Sequence, residues 1–214
     1  MHYYPPSENV SRGSIFDAAR ERNNPLADQT NPARQQQINQ PLGVMRKVVH
    51  QATFGDSDAA VFCSKFSSDD KYLATGYGDG ITRIYNLSSG KMAYTLQSFD
   101  SEESQLPVTC LQWRPVTAAM KTANVLVTAQ ADGSLKHWHA TSGKCLHTSC
   151  EDPENHLYAI DFTQDGTLLA AAGRDRHVRI YDETTKSLAF VMKEKGRLFG
   201  HGNRIFCVKF NRGD

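Results

Sequence analysis

The sequence predicts an all-β chain made of repeated units, each folding as four short antiparallel strands. Aromatic residues recur at nearly even spacing, at Phe66, Trp113, Phe162 and Phe210. Each ends a run in which apolar and polar residues alternate, as in PVTCLQW, and this alternation is typical of a half-buried strand. Polar turns that contain glycine, such as GYGDG and SSGK, separate the runs and allow the chain to reverse. The recurrence identifies a structural repeat.

The strands that follow each aromatic residue complete the repeated unit. The second strands are YLATG, NVLVTA and TLLAAAG, and each leads into a turn that carries an aspartate. A third strand then ends in an aromatic residue at a constant distance from the aspartate; the pairs are Asp79 and Tyr85, Asp132 and Trp138, and Asp175 and Tyr181. A further turn and a fourth strand follow, for example SSGK and MAYTL. Four short strands in each repeat predict propeller blades at residues 60–96, 107–148 and 157–192.

Two long stretches, FSSDDKYLATGYGDGITRIYNLSSGK and FTQDGTLLAAAGRDRHVRIYDETTK, resemble the repeats of the WD-repeat β-propeller family. The resemblance covers residues 46–214 and implies an arc of four-stranded antiparallel blades. The dipeptide that names the family is present as Tyr85-Asn86, Trp138-His139 and Tyr181-Asp182, so only its aromatic half is kept. The Gly-His that opens a family repeat occurs once, as Gly200-His201.

The resemblance also implies a buried network in each repeat, formed by a histidine, a serine or threonine, the turn aspartate and the tryptophan. The residues at these positions are Thr75, Asp79, Tyr85, Thr128, Asp132, Trp138, Asp175, Tyr181 and His201. No repeat holds the full set, and Ala171 replaces the serine or threonine of the third repeat. Because a buried acceptor without a donor is costly, we expect the aspartates to cap their own turns by accepting backbone N–H groups.

The two ends of the repeat region predict an incomplete ring. Residues 47–54 stand where the closing fourth strand of a preceding blade would lie, and residues 200–214 begin a further blade. Propellers have four to eight blades, so this sequence is expected to form an arc. Either it is a piece of a longer protein, or another chain completes the sheet. An unprotected strand edge invites pairing, and the chain alone is therefore expected to aggregate or oligomerise.

Residues 1–45 are predicted to form an extended, low-complexity arm. They hold five of the eight prolines and few large apolar residues. One short helix is predicted at residues 15–22, because Ser14 stands at the N-cap position of a helix-favouring run. The arm is either a solvated tail or a docking segment that orders on a partner, with Ile15 and Phe16 as anchors.

Composition argues against several classes of function. The formal net charge is +1, which gives no general reason to expect nucleic acid or an anionic membrane as a partner. The N-terminus lacks the apolar stretch of a secretory signal, and the five cysteines contain no CxxC pair. We therefore expect an intracellular, cytoplasmic protein with reduced thiols, with the nucleus and the cilium or cytoskeleton as alternatives.

No catalytic motif, phosphate-binding loop or metal-binding motif is found, so no catalytic, cofactor-binding or metal site is predicted, and no cofactor or small-molecule substrate. Cys63, Cys110 and Cys207 stand at the same repeat position, where a small core residue is expected. His137 and His139 flank Trp138 and are expected to be ordinary histidines, because no carboxylate or cysteine shares their spacing.

The connections between blades are the candidate partner-binding segments. One carries Asp100, Glu102 and Glu103, and another carries Glu151, Asp152 and Glu154. These acidic residues are either solvated surface or a rim that favours a Lys/Arg-rich peptide. Arg174 and Arg176 in the turn of the third blade make the rim uneven in charge.

The sequence thus predicts a non-catalytic scaffold or adaptor subunit that binds other proteins through its propeller faces and N-terminal arm. This expectation is an analogy at the level of the fold. The alternative is the regulatory propeller of a longer enzyme. Binding of RNA is disfavoured, because the charge is balanced and few aromatic residues stand among basic ones.

Overall fold

The computed structural model describes residues 49–55, 58–97, 106–117, 123–192 and 200–211. The chain divides into two compact units, residues 1–51 and 52–214. In the first unit, the described residues 49–51 have no helix or strand. The predicted arm, the predicted helix at 15–22 and the proposed anchors Ile15 and Phe16 lie outside the described residues.

The described part of the second unit contains three antiparallel sheets of four strands. Blade 1 contains β1 (Val61–Phe66), β2 (Tyr72–Tyr77), β3 (Thr82–Asn86) and β4 (Met92–Leu96). Blade 2 contains β5 (Val108–Trp113), β6 (Val125–Gln130), β7 (Ser134–His139) and β8 (Lys144–Cys150). Blade 3 contains β9 (Leu157–Phe162), β10 (Leu168–Gly173), β11 (Val178–Asp182) and β12 (Ser187–Met192). Each strand pairs with the next along the chain, which confirms the predicted fold class of four-stranded antiparallel blades.

The three blades repeat the same irregularity as well as the same strands. Between the third and fourth strands the register shifts at Ile84/Tyr85, at His137/Trp138 and at Ile180/Tyr181. A bulge at this point twists the strand and changes the direction of the side chain beside it. The aromatic residue that ends the third strand is buried in all three blades. The bulge is therefore part of the repeat, and it helps to place the aromatic residue of each blade.

The hydrophobic core lies between the blades, where two sheet faces meet. The aromatic residue at the end of the first strand of a blade is buried where another blade precedes it: Trp113 is 9% exposed and Phe162 is 2% exposed. Trp113 packs with residues of blade 1, such as Ile84, and its Nε1–H donates to the carbonyl of Lys65. Phe66, at the same position of blade 1, is 61% exposed. Burial at this position thus depends on the neighbouring blade.

Residues 200–211 follow blade 3 without forming a sheet strand among the described residues. The N–H of Ile205 donates to the carbonyl of Gly173, and Ile205, Val208 and Phe210 pack against the apolar face of blade 3. The described part of the predicted closing strand, residues 49–54, also makes no strand. Phe54 instead places its ring 5.5 Å from that of Tyr85.

Candidate interaction surfaces

The turn aspartates cap their own turns. Asp79 accepts the N–H of Ile81, Asp132 accepts the N–H of Ser134, and Asp175 accepts the N–H of His177, at 3.0, 2.8 and 3.2 Å. In each case an aspartate side chain bonds to the backbone two residues onward, which is the local turn geometry that its short side chain favours. Asp79 and Asp175 also form ion pairs, with Arg83 and Arg179. These aspartates hold the upper edge of the sheets, defined here as the edge with the β2–β3, β6–β7 and β10–β11 turns.

The buried aromatic residues satisfy their polar groups differently in each blade. In blade 2, Trp138 Nε1–H donates to Thr128 Oγ1 at 3.0 Å, and both residues are buried. In blade 1, the hydroxyl of Tyr85 lies 2.9 Å from that of Tyr77, while the hydroxyl of Thr75 donates to the carbonyl of Arg83. Burial raises the pKa of Tyr181, the corresponding residue of blade 3, to about 12. These residues support the core and are not available to a partner.

His201 does not occupy the buried position that the implied network requires. Its side chain is exposed, and its backbone N–H donates to the carbonyl of Arg176 at 3.2 Å. The residue therefore joins the segment that follows blade 3 to the β10–β11 turn through its backbone.

A cleft opens at the upper edge, where the β8–β9 connection meets the β10–β11 turn. It has a volume of about 380 Å³ and is lined by Asp152, Glu154, Asn155, Arg174, Asp175, Arg176, His177 and Arg179. The structure thus brings two of the predicted acidic residues and both predicted arginines together. Glu151 is exposed on the same connection. Asp100, Glu102 and Glu103 lie outside the described residues.

Two cavities lie at the opposite, lower edge, and sequence reasoning did not find them. They have volumes of about 370 and 280 Å³, and both are lined by Trp113 and Arg114. Lys65, Phe66 and Phe162 are among the other residues that line the larger one. The aromatic residues that end the first strands of the three blades therefore border open space at this edge.

A buried polar cluster joins blades 2 and 3. His137 Nε2 lies 2.8 Å from Glu183 Oε1, and both side chains are almost completely buried. Lys186 Nζ contacts Glu183 Oε2, and the guanidinium of Arg114 lies 3.8 Å from the same oxygen. Glu183 is an acceptor, so Nε2 of a neutral His137 must carry the hydrogen and donate it. The sequence could not reveal this cluster, because His137 and Glu183 come from different repeats.

The pKa values of His137 and Glu183 are both shifted downward. Desolvation lowers the pKa of His137 below its usual 6.5, although the bond to Glu183 opposes the shift. For Glu183, desolvation raises the pKa, but the hydrogen bonds from His137 and Lys186 and the charge of Lys186 outweigh it and hold the pKa below 4.5. The folded protein therefore favours a neutral His137 beside an ionised Glu183.

We predict that acidification destabilises the protein through this cluster. Below pH 6.5 the unfolded chain protonates this histidine and the folded chain resists, so the free energy of unfolding falls as the pH drops. Glu183 adds a second loss below pH 4.5, as the pH falls through its folded-state pKa. Urea unfolding between pH 7.5 and 5 measures the first effect, and His137→Gln should flatten that slope. An equal slope in the variant would contradict the assignment.

The described residues provide no metal site: no group of three His, Cys, Asp or Glu side chains converges in them. The five cysteines are free thiols. Cys63 and Cys110 are half-buried, and burial raises the pKa of Cys63 to about 12, so it is not a reactive thiolate. Cys207, by contrast, is exposed. Nor does any helix in the described ranges have the length and apolarity needed to cross a membrane.

Comparison with known families supports the repeat architecture. A sequence profile described as the anaphase-promoting complex subunit 4 WD40 domain matches residues 42–116. A second profile, the WD domain, G-beta repeat, matches residues 143–182. The two matches fall on different repeats of the chain.

Curated relatives resemble this chain over part of their length. A U3 small nucleolar RNA-associated protein 21 homolog of Schizosaccharomyces pombe is 30% identical over 138 residues, covering 64% of this chain and 13% of the relative. The human angio-associated migratory cell protein is 27% identical, covering 64% and 33%. Target of rapamycin complex subunit LST8-1 of Arabidopsis thaliana is 31% identical, covering 40% and 26%. The chain therefore spans a third or less of the length of these relatives.

Solved structures share the fold at low sequence identity. The crystal structure of the mitotic checkpoint complex contains a chain with a TM-score of 0.57 and 22% identity, covering 71% of this chain and 41% of that one. The crystal structure of the RRP9 WD40 repeats gives a TM-score of 0.59 and 16% identity, covering 72% and 43%.

Proposed function

Because two WD40 family profiles match this chain of WD-repeat blades, we propose that it is a non-catalytic scaffold subunit of a multi-protein assembly. Proteins of this family generally act as platforms for other proteins; one relative is named as a subunit of a complex, and one solved structure with the same fold is that of a complex. For this chain, we propose that binding uses the upper edge of the blades and the N-terminal arm.

The observation that carries the proposal is the convergence of separate connections at the upper edge. The β10–β11 turn bonds to the β8–β9 connection through Asn155, whose side-chain oxygen accepts the N–H of Asp175 at 3.0 Å. It bonds to residues 200–203 through the N–H of His201. Three segments distant in sequence are thus joined by hydrogen bonds at the upper edge. Loops held by a rigid scaffold are well suited to recognition.

We predict that loss of the arm reduces incorporation into the assembly without unfolding the blades. Deletion of residues 1–40 removes few apolar groups, so the β signal and melting temperature should change little. The amount of partner protein recovered with the tagged full-length chain should fall, and replacing Ile15 and Phe16 together should reproduce the loss. Quantitative co-purification, with the unmodified chain as reference, measures this.

The same co-purification experiment tests the contribution of the acidic connections separately from that of the arm. Reversal of Glu102 and Glu103 to lysine should leave stability nearly unchanged and weaken any partner that uses an acidic rim. Unchanged recovery after that reversal would remove the acidic rim from the proposal. If no protein is enriched by the unmodified chain over a tag-only control, the scaffold function itself is wrong.

A further inference from the structure

The larger cavity at the lower edge is shared by three blades. It is lined by Lys65 and Phe66 at the end of β1, by Trp113 at the end of β5 and by Phe162 at the end of β9. Its volume of about 370 Å³ lies within the range of pockets that hold ligands, which is roughly 300–1,000 Å³. The cavity therefore has room for one large side chain of a partner.

Bonds between neighbouring blades fix the wall of this cavity. The Nε1–H of Trp113 donates to the carbonyl of Lys65 at 3.1 Å and links β5 to β1. The hydroxyl of Thr117, which follows β5, donates to the carbonyl of Asp165 in the β9–β10 turn at 3.0 Å. A pocket that is formed before binding spares the complex the entropic cost of ordering it. The lower edge thus offers a preformed site.

Phe66 gives the cavity an exposed apolar wall. More than half of this residue is exposed, whereas Trp113 and Phe162 at the same repeat position are buried. Val116, which lines the smaller cavity beside the same Trp113, is more than half exposed as well. An apolar side chain that enters the larger cavity would cover Phe66, and removal of both surfaces from water would stabilise the complex.

The charged residues of the wall are of one sign. Among the described residues that line the larger cavity, Lys65 and Arg114 are cations, and none is an aspartate or a glutamate. Arg114 is buried and lies against Glu183, so it is not counted as a contact for a ligand. Lys65 is exposed, and the ion pairs of the described residues do not include it. Its ammonium group has three donors to offer to an acceptor.

The carboxylates beside the cavity are already bonded within the chain. The pairs are Asp161 with Lys209, Asp69 with Lys71, and Asp165 with the hydroxyl of Thr163. An incoming carboxylate would therefore meet Lys65 without breaking an existing ion pair. An incoming lysine or arginine would find no carboxylate among the described residues of the wall. This difference favours an acidic ligand over a basic one.

We propose that the larger cavity binds a segment of a partner protein in which a large apolar side chain lies next to an aspartate or a glutamate. The apolar side chain packs against Phe66 and Trp113, and the carboxylate pairs with Lys65. The inference rests on the proposed scaffold function and adds the lower edge as a binding surface. The apolar contact supplies most of the affinity, because an exposed ion pair contributes little, and the charge sets the preference.

Selection from a phage-displayed library of random short peptides tests the chemistry of the segment. The full chain is immobilised, and the retained peptides are sequenced. Peptides with leucine, phenylalanine or tryptophan beside aspartate or glutamate should be enriched over the input library, and lysine and arginine should be depleted at the neighbouring positions. A selection without enrichment, or with enrichment of basic neighbours, would overturn the proposal.

Variants of the chain then test whether binding occurs at the cavity. The most enriched peptide is labelled with fluorescein and titrated by fluorescence anisotropy. Phe66→Ser should weaken binding about tenfold, as for a central aromatic contact, and Lys65→Glu about fivefold or more at low salt. Both residues are exposed, so the melting temperature should change little. Phe190→Ser on β12 and Lys91→Glu in the β3–β4 turn replace exposed residues elsewhere, and these controls should bind normally.

The pattern across the variants decides the outcome. Unchanged affinity in both Phe66→Ser and Lys65→Glu would overturn the proposal, because the peptide would then bind elsewhere. Loss of binding in Phe66→Ser alone would contradict the pairing of the carboxylate with Lys65. If the selection fails while the unmodified chain still enriches partners in co-purification over a tag-only control, this inference is wrong and the scaffold function stands.

Discussion

Replacing Trp138 with alanine should lower the free energy of unfolding by about 3–5 kcal/mol, as expected for truncation of a core aromatic residue. Trp138 is 3% exposed and belongs to the apolar cluster between blades 1 and 2, with Ile84, Leu96 and Leu126. Its loss leaves a cavity between two sheets. It also removes the hydrogen-bond donor of Thr128, a buried hydroxyl.

Two matched variants separate these contributions. Trp138→Phe keeps most of the ring and loses only the N–H, so it should cost about 1–3 kcal/mol, the range for a buried acceptor left without its donor. Leu146→Ala removes a large apolar side chain that is 48% exposed and should cost about 0.5 kcal/mol or less. Urea unfolding gives all three values. An unchanged midpoint for Trp138→Ala would show that the residue does not pack between the blades.

Replacing Glu183 with alanine should also destabilise the protein by about 3–5 kcal/mol, the usual cost of removing one partner of a buried ion pair. Only about 1% of the Glu183 side chain is exposed, and the side chains of Arg114 and Lys186 are 8% and 23% exposed. Alanine would leave both cations in a poorly solvated site without this carboxylate, and His137 would lose its hydrogen-bond acceptor. The effect falls on the contact between blades 2 and 3.

The charge of Glu183 can be separated from its shape. Glu183→Gln retains an acceptor for His137 and loses the charge, so its effect should lie between those of the alanine variant and the unmodified chain. Glu154→Ala removes an exposed carboxylate and should change stability by about 0.5 kcal/mol or less. Equal stability of Glu183→Ala and the unmodified chain would refute the assigned pairing. Denaturant unfolding near neutral pH, where Glu183 is ionised, makes the comparison.

Local chemistry was sufficient to predict the repeat. Short polar turns, alternating strands and regularly spaced aromatic residues depend on interactions within a few residues, and this explains why the all-β fold class was predicted. The capping bonds of Asp79, Asp132 and Asp175 are of the same kind, because donor and acceptor are two residues apart. The proposed binding roles of the acidic connections and of the arm remain predictions.

Sequence alone therefore determined what each repeat forms: four strands, a capped turn and a buried aromatic residue. Only the tertiary structure decided what lies between the repeats. It joined His137 to Glu183 across two blades, left Phe66 exposed where Trp113 is buried, and held Arg176 in a glycine-like conformation. The physical reason is the range of the interactions. A turn or strand follows from neighbours along the chain, whereas burial, ion pairing and strain depend on residues that come close only when separate sheets pack together.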